Sequence, residues 1–262
     1  MNDGVLLDLD GPVANLTLNR PQRGNAIDLS MAQTLLRAAI RCDQDPAIRC
    51  VVITGAGRLF CAGGDLGAFT ASGDEVPGFL SELAGVLHLA ISRLMRMAKP
   101  LVVLVNGPAA GAGMSLSLLG DIVLASGSAH FTPAYSGIGL SPDGGLSWHL
   151  PRLVGLRRAQ EILLLNRRLD AAQAQDLGLI TRLVDDGQLL PEGRQIAQAL
   201  AAAATPALGR VRQLLLHSYG AQLEAHLEQE ARSISAVSHG PQAREGLAAF
   251  IEKRPPHFHS GV

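Results

Sequence analysis

Two glycine-rich segments, each directly after an aliphatic run, constrain the fold of this chain more than any other feature. The continuous apolar runs at 50–54 and 101–105 are typical of strands buried on both faces of a parallel sheet. Thirteen of the 29 glycines lie within 55–67, 107–120 and 137–145, which together hold only 36 residues. Because neighbouring parallel strands end at one edge of a sheet, we expect the first two loops to converge there with free backbone N–H groups.

Upstream and between these loops, the pattern predicts a β-hairpin and two helices. Aliphatic runs at 5–9 and 13–18 flank an Asp-Gly-Pro sequence, whose composition is typical of a turn. One helix is expected from an N-cap at Ser30 to about residue 41, and a longer amphipathic helix is expected over 78–98. A helix between two buried strands predicts a right-handed β-α-β crossover.

From about residue 156 the apolar periodicity is helical only. An amphipathic helix must bury its apolar stripe, so this region either covers the core or mediates assembly. We predict an α/β fold of repeated β-β-α units, with an α/β core over 1–195 and a helical region over 196–262.

Charge and cysteine content exclude several classes of protein. The chain has 22 basic and 23 acidic residues, which argues against nucleic acid as a main partner. Its cysteines, Cys42, Cys50 and Cys61, form no CxxC pair, so we expect neither a disulfide framework nor a metal site. The first residues lack a basic segment before an apolar run, and no uncharged apolar run is long enough to span a membrane. We therefore predict a cytoplasmic protein without a membrane partner.

The segment Gly111-Ala-Gly113 follows a strand and opens a helix, as a dinucleotide-binding turn does. The third glycine of that motif would fall at Leu116, however, and no acidic residue ends a following strand. No Walker lysine follows, and no GxSxG motif surrounds Ser115. Two interpretations remain: close packing of a helix, or backbone N–H groups that receive partial negative charge.

Five segments in this order resemble the enoyl-CoA hydratase/isomerase (crotonase) superfamily. They are Leu-Asn-Arg-Pro-Gln-Arg-Gly-Asn-Ala at 18–26, Phe-Cys-Ala-Gly-Gly-Asp-Leu at 60–66, Val-Asn-Gly-Pro-Ala-Ala-Gly-Ala-Gly at 105–113, Asp121, and 171–179. The resemblance implies a crotonase-like spiral whose C-terminal helices mediate trimerisation, so a homotrimer or a dimer of trimers is expected. It also implies an acyl-CoA thioester substrate and no cofactor, with coenzyme A present only as part of the substrate.

The resemblance further implies an oxyanion hole of two backbone N–H groups, which in this sequence fall at Ala62 and Ala112. Removal of a proton beside a thioester carbonyl creates an enolate. One preorganised donor to the enolate oxygen typically stabilises the transition state by ~2.7–4 kcal/mol.

Members of the superfamily that add water resemble one another in carrying two glutamates, and those positions are Ser115 and Ala134 here. Neither side chain is a base at neutral pH. The acid that remains is Asp143 in Ser-Pro-Asp-Gly-Gly, a loop that resembles that of the isomerases of the phenylacetate pathway. A single carboxylate suits a 1,3-proton shift or a ring opening in an unsaturated acyl-CoA. We therefore predict an acyl-CoA isomerase with Asp143 as the proton carrier, buried beside Leu140 or Trp148.

Other interpretations stay open. Pro-Asp-Gly-Gly is also a turn sequence, in which Asp143 would bond its own backbone. A related dehalogenase branch uses an aspartate nucleophile with a tryptophan nearby, for which Trp148 is the candidate. The remaining alternatives are an enoyl-CoA hydratase with an atypical water arrangement and a catalytically silent acyl-CoA-binding homologue.

Further residues are candidates for substrate binding. In the family, an aromatic and a basic residue near the C-terminus contact the CoA of a neighbouring subunit, and Phe250 and Lys253 resemble them. Arg23 is a similar candidate for a phosphate, and Asp65 is expected first of all as a helix N-cap. The full set is Arg23, Cys61, Gly63, Gly64, Asp65, Leu66, Gly111, Leu140, Trp148, Phe250 and Lys253.

Overall fold

The computed structural model describes residues 4–258, which form two sheets and the helices around them. The strands are β1 (Val5–Asp10), β2 (Val13–Leu18), β3 (Cys50–Gly55), β4 (Leu101–Val105), β5 (Ala109–Ala110), β6 (Ile122–Ser126), β7 (His130–Thr132), β8 (Leu169–Asp170) and β9 (Arg182–Val184). The α-helices are α1 (Leu29–Gln44), α2 (Leu66–Ala71), α3 (Val76–Arg96), α4 (Ala112–Ser117), α5 (Leu146–Val154), α6 (Leu156–Leu164), α7 (Ala171–Asp176), α8 (Leu189–Ala202), α9 (Thr205–Ser218), α10 (Leu223–Ser238) and α11 (Pro241–Glu252). Residues 1–3 and 259–262 of the predicted regions lie outside the described residues.

The larger sheet has the strand order β1-β2-β3-β4-β6-β9. β1 and β2 form the predicted antiparallel hairpin, and every later strand pairs in parallel with its neighbour. The runs at 50–54 and 101–105 are confirmed as adjacent parallel strands, so the loops after them leave the same edge of the sheet. The second sheet, ordered β5-β7-β8, was not predicted because its strands have only two or three residues.

Helix α1 begins after Asp28. The Asp28 carboxylate accepts a hydrogen bond from the Met31 N–H at 2.8 Å, and the Asp28 backbone is extended, as an N-cap requires. Ser30 lies inside the first turn, so the prediction of Ser30 as the cap is wrong. Aspartate and serine are both good caps, and which of two nearby candidates is used depends on where the preceding chain turns.

Helix α3 starts two residues earlier than predicted and ends at Arg96. By length and composition alone, Gly73–Arg96 is apolar enough to cross a membrane. In this fold its apolar face packs in the core, where Leu83, Leu87 and Ala90 are buried. Helix α3 therefore forms one side of the protein interior, next to the site described below.

The C-terminal helices differ in how much of their surface is buried. Helix α8 packs on the larger sheet through Ala197 and Ala201, which lie in one apolar cluster with Val52 and Leu104. The predicted division between 195 and 196 falls inside this helix, so no break in structure marks it. Helix α10 buries none of its residues and α11 buries only Ala249. Assembly through these helices stays a prediction.

Candidate active site

Two backbone loops meet where β3 and β4 end. Cys61 pairs with Ala109 in a parallel bridge, and the Ala110 N–H donates to the Cys61 carbonyl at 2.9 Å. A Cβ added to Gly113 would lie 2.2 Å from the Cys61 carbonyl oxygen, so the approach of α4 to the first loop requires glycine there. The predicted convergence of the two loops is confirmed.

The N–H groups of these loops differ in what they bind. The Ala62 N–H donates to the Gly24 carbonyl at 2.9 Å, so it is not free for a ligand and the prediction of Ala62 as an oxyanion donor is wrong. Within residues 4–258 the N–H groups of Gly64 and Ala112 have no hydrogen-bond acceptor, and both residues line one cavity. Motif spacing alone could not distinguish Ala62 from Gly64, because a carbonyl from a distant segment makes the difference.

Two asparagines hold the first loop in place, and neither was predicted from the sequence to have a role. The completely buried Asn25 donates from Nδ2 to the carbonyls of Ala56 and Leu59, at 2.9 and 2.8 Å. Asn106 accepts a hydrogen bond from the Gly55 N–H at 3.0 Å. Both asparagines stand within the motifs at 18–26 and 105–113, which is the signal that could have indicated them.

Two predicted binding residues have structural roles instead. Cys61 is completely buried, and burial raises the pKa of its thiol to about 12. The Asp65 carboxylate caps α2 through the N–H groups of Gly67 and Ala68, and it pairs with Arg20 at 3.0 Å. Burial acts to raise the pKa of Asp65, but the hydrogen bonds from Arg20 and Ala68 and the nearby positive charge outweigh it and lower that pKa. Neither residue lines the cavity, and Asp65 is the helix cap that was expected.

The cavity beside the two loops, here called the first cavity, has a volume of about 280 Å³ and mostly apolar walls. Helix α3 contributes Leu83 and Leu87 to one wall, and Phe69 contributes to another. Of the predicted binding residues, those that line it are Gly63, Gly64, Leu66, Gly111 and Leu140. Apolar walls with two free N–H groups suit an apolar acyl group whose carbonyl oxygen needs hydrogen-bond donors.

Three of the other candidates lie outside the first cavity. Arg23 is exposed, and its guanidinium lies near Gly67 at the start of α2. Phe250 is 83% exposed on α11, and Lys253 occupies the C-cap of that helix. Contact of these residues with a CoA group stays a prediction.

Trp148 faces a second cavity of about 390 Å³, which His88 and Gly145 also line. Two glycines with positive φ follow Asp143 and turn the chain before α5 begins. Leu140 consequently lines the first cavity together with Asp143, whereas Trp148 lies beyond the turn. Of the two residues expected beside Asp143, Leu140 shares its cavity and Trp148 lines the other one.

Side chains from three separate elements surround Asp143. The Tyr135 hydroxyl donates to Oδ1 at 2.5 Å, and the Ser115 hydroxyl donates to the Asp143 backbone carbonyl at 2.9 Å. His88 Nε2 lies 3.7 Å from Oδ2. The Asp143 side chain is 33% exposed, so the predicted burial is incomplete. Within the described residues its carboxylate makes no bond to its own turn, which does not fit the interpretation of Asp143 as a turn residue only.

Tyr135 was not predicted from the sequence as a site residue. It is only 9% exposed, and burial, followed by the negative charge of Asp143, raises the pKa of its phenol, which therefore stays protonated and donates. The preceding Ala134 has φ 66°, and its N–H donates to Asn166 Oδ1 at 2.7 Å. Hydratases of the family carry a glutamate at the position of Ala134. Tyr135 directly follows that position, and this is the signal that could have indicated it.

Comparison with known proteins identifies the class that this fold and site define. A family model described as Enoyl-CoA hydratase/isomerase matches residues 9–261. The chain belongs to the enoyl-CoA hydratase/isomerase family, and its α/β architecture is the crotonase fold that the motifs led us to expect.

The relatives carry names for different reactions. The chain is 38% identical to 1,2-epoxyphenylacetyl-CoA isomerase of Escherichia coli (strain K12), over 98% of this chain and 99% of that protein. It is 35% identical to 4-chlorobenzoyl coenzyme A dehalogenase-2 of an Arthrobacter species, over 92% of this chain and 88% of that protein. The solved structure of an enoyl-CoA hydratase from Polaromonas sp. JS666 is similar with a TM-score of 0.92 and 36% identity, over 97% of this chain and 98% of that one. Similarity therefore identifies the family but not the reaction.

Proposed function

We propose that this protein is an acyl-CoA isomerase that shifts a double bond, or opens a ring, in an unsaturated acyl-CoA thioester. The observation that carries the proposal is that Asp143 is the one acidic side chain among the described residues that line the first cavity. A hydratase must both activate a water molecule and protonate a carbon, whereas an isomerase can use one carboxylate that takes a proton and returns it. Ser115 and Ala134 supply no second acid.

In the proposed reaction, the thioester carbonyl accepts hydrogen bonds from the N–H groups of Gly64 and Ala112. Because Tyr135 engages Oδ1 of Asp143, Oδ2 is the oxygen left to take a proton from the acyl chain. The electron pair moves onto the thioester oxygen as an enolate, which two preorganised donors stabilise by ~2.7–4 kcal/mol each. Asp143 then returns the proton to a second carbon, or to the atom that ring opening releases.

The isomerase relative's name supplies one candidate substrate, 1,2-epoxyphenylacetyl-CoA. The apolar walls of the first cavity, formed by Leu83, Leu87 and Phe69, suit an aromatic or aliphatic acyl group. Placement in the phenylacetate-type isomerase branch, and assembly as a trimer or a dimer of trimers, belong to the same proposal.

Incubation with unsaturated acyl-CoA esters and 1,2-epoxyphenylacetyl-CoA, with the isomers separated by liquid chromatography and told apart by their ultraviolet or NMR spectra, tests the proposal. Asp143→Asn should lower isomerisation by about two orders of magnitude or more. Glu82→Gln, which changes an exposed acid on α3, is the matched control and should retain full activity. Full activity in Asp143→Asn would remove the basis of the mechanism, and binding of acyl-CoA without any turnover would favour the catalytically silent homologue.

A second candidate function is hydrolytic dehalogenation of an aryl-CoA. It is supported by the 35% identity to the dehalogenase relative and by the 3.7 Å between His88 Nε2 and Asp143 Oδ2. In such a reaction a carboxylate attacks the ring carbon, halide leaves, and a base activates the water that hydrolyses the resulting ester. Chloride release from 4-chlorobenzoyl-CoA tests this candidate, and its absence at protein concentrations that isomerise other esters would exclude it.

A further inference from the structure

His88 lies between the two cavities. On α3, Leu87 lines the first cavity and the next residue, His88, lines the second. The turn after Asp143 separates the cavities in the same way, because Asp143 lines the first and Gly144 lines the second. The His88 side chain is 50% exposed, so one titratable group both approaches Asp143 and has access to solvent.

The hydrogen bonds of His88 indicate its protonation in the resting site. Its Nε2 accepts a hydrogen bond from the Gly144 N–H at 3.1 Å, and this nitrogen has a single lone pair. In this arrangement Nε2 therefore carries no proton, and the ring is the neutral Nδ1–H tautomer. The 3.7 Å separation from Asp143 Oδ2 becomes a hydrogen-bonded ion pair only when Nε2 takes up a proton and releases Gly144.

We propose that His88 exchanges the proton held by Asp143 with solvent in the second cavity, an inference that rests on the isomerase function proposed above. After Asp143 has taken a proton from the acyl chain, its carboxylic acid passes that proton to His88 Nε2. This forms a carboxylate and an imidazolium, and the half-exposed imidazolium exchanges its N–H protons with water. Transfer back to Asp143 completes the cycle with no net change in protons or electrons.

The other titratable groups around the second cavity do not fit this role. Burial, followed by the charge of Arg152, lowers the pKa of His149 to about 4, so His149 stays neutral near pH 7. Arg96 lines the same cavity, but an arginine guanidinium has only N–H donors and no nitrogen that could accept a proton from Asp143. Tyr135 touches Asp143 from the other side, where its phenol already donates its proton to Oδ1.

The test is isomerisation in deuterated water, with rate and deuterium content of the product measured in the same sample. We expect the wild-type protein to incorporate solvent deuterium in a substantial share of turnovers. In His88→Gln, the amide oxygen can still accept from Gly144 but cannot carry a proton through a ring. Deuterium incorporated per turnover should fall by about tenfold or more, while the isomerisation rate changes far less, because a proton returned directly needs no relay.

Ser92→Ala is the matched control, because Ser92 lies one turn further along α3 and lines the same cavity. It should leave the deuterium content per turnover unchanged. Isomerisation with equal incorporation in wild type and His88→Gln, or without incorporation in the wild type, would overturn the role of His88 alone. A wild-type protein that neither isomerises nor exchanges acyl protons would overturn this role and the proposed function together.

Discussion

Replacing Ser115 by glutamate places a carboxylate where hydratases of this family carry one, and the structure predicts that it will not create a hydratase. Ser115 is completely buried, and its hydroxyl donates to the Asp143 carbonyl at 2.9 Å. A Cβ added to Gly144 would lie only 2.9 Å from the Ser115 Cβ. The turn that carries Asp143 therefore occupies the space that a longer side chain at position 115 would need.

The expected loss of stability in Ser115→Glu follows from the contacts that are lost and the volume that is added. Overpacking a close-packed interior costs about 1–3 kcal/mol, and the loss of one buried hydrogen bond costs about 1 kcal/mol. Ser115→Glu should thus lower the free energy of unfolding by about 2–4 kcal/mol. For a chain of this size that corresponds to a fall in Tm of roughly 5–15 °C.

Thermal unfolding and hydration of a 2-enoyl-CoA, measured on the same preparation, check this prediction. Ser115→Ala removes the hydroxyl without adding volume, so it is the matched control and should lose only about 1 kcal/mol. Ser115→Glu should be less stable than the control and should not hydrate. A Ser115→Glu variant with the Tm of the wild type and measurable hydration would show that a longer side chain at position 115 does not compete for space with the turn that carries Asp143.

Three further changes test other contacts. Tyr135→Phe removes the hydrogen-bond donor to Asp143, so the carboxylate is less well oriented. The kcat for isomerisation should therefore fall by about tenfold or more, with a smaller change in KM. An unchanged kcat would contradict the positioning role of Tyr135. Because the pKa of Asp65 is lowered in the folded protein, its charged form stabilises the fold at pH values above 3.8, the ordinary pKa of the group. This stability is lost as the pH falls through the lowered pKa. Tm measured from about pH 6 to about pH 3 should therefore decline less in Asp65→Asn than in wild type, and parallel curves would show that the pair with Arg20 contributes nothing. Arg212 is 8% exposed, forms an ion pair and donates to three backbone carbonyls near the end of α3. Arg212→Leu should lower the free energy of unfolding, measured with denaturant, by about 3–5 kcal/mol. A loss below about 1 kcal/mol would contradict a stabilising role of these contacts.

Local pattern was enough to predict the parts of the site that depend on single segments. Continuous apolar runs indicated β3 and β4, and their parallel pairing placed the following loops at one edge. Small residues in those loops then indicated close backbone approach, which Gly113 against Cys61 bears out. The Asp143 loop could be placed by its motif, because no other acid stands in that stretch of sequence.

Sequence reasoning failed where a partner from far along the chain decides the outcome. Ala62 and Gly64 lie in one loop with similar surroundings in sequence. The Gly24 carbonyl accepts the hydrogen bond of the Ala62 N–H, so Ala62 cannot donate to a ligand. The neighbours of Asp143 likewise come from separate elements, with Tyr135 before the turn and His88 on α3. Such contacts follow from the packing of whole elements, which local periodicity does not encode.

The contacts of Asp143 restrict how one carboxylate can replace two. Ser115 holds its backbone carbonyl and Tyr135 holds Oδ1, so rotation of the carboxylate would break a charge-assisted hydrogen bond worth about 1.5–3 kcal/mol. Under the proposed function, Oδ2 therefore both takes the proton and returns it. Because a single oxygen reaches only one face of a bound acyl chain, the carbon that loses the proton and the carbon that gains it must present the same face to Asp143. The same restriction disfavours hydration, since water and the returning proton would have to share that one oxygen.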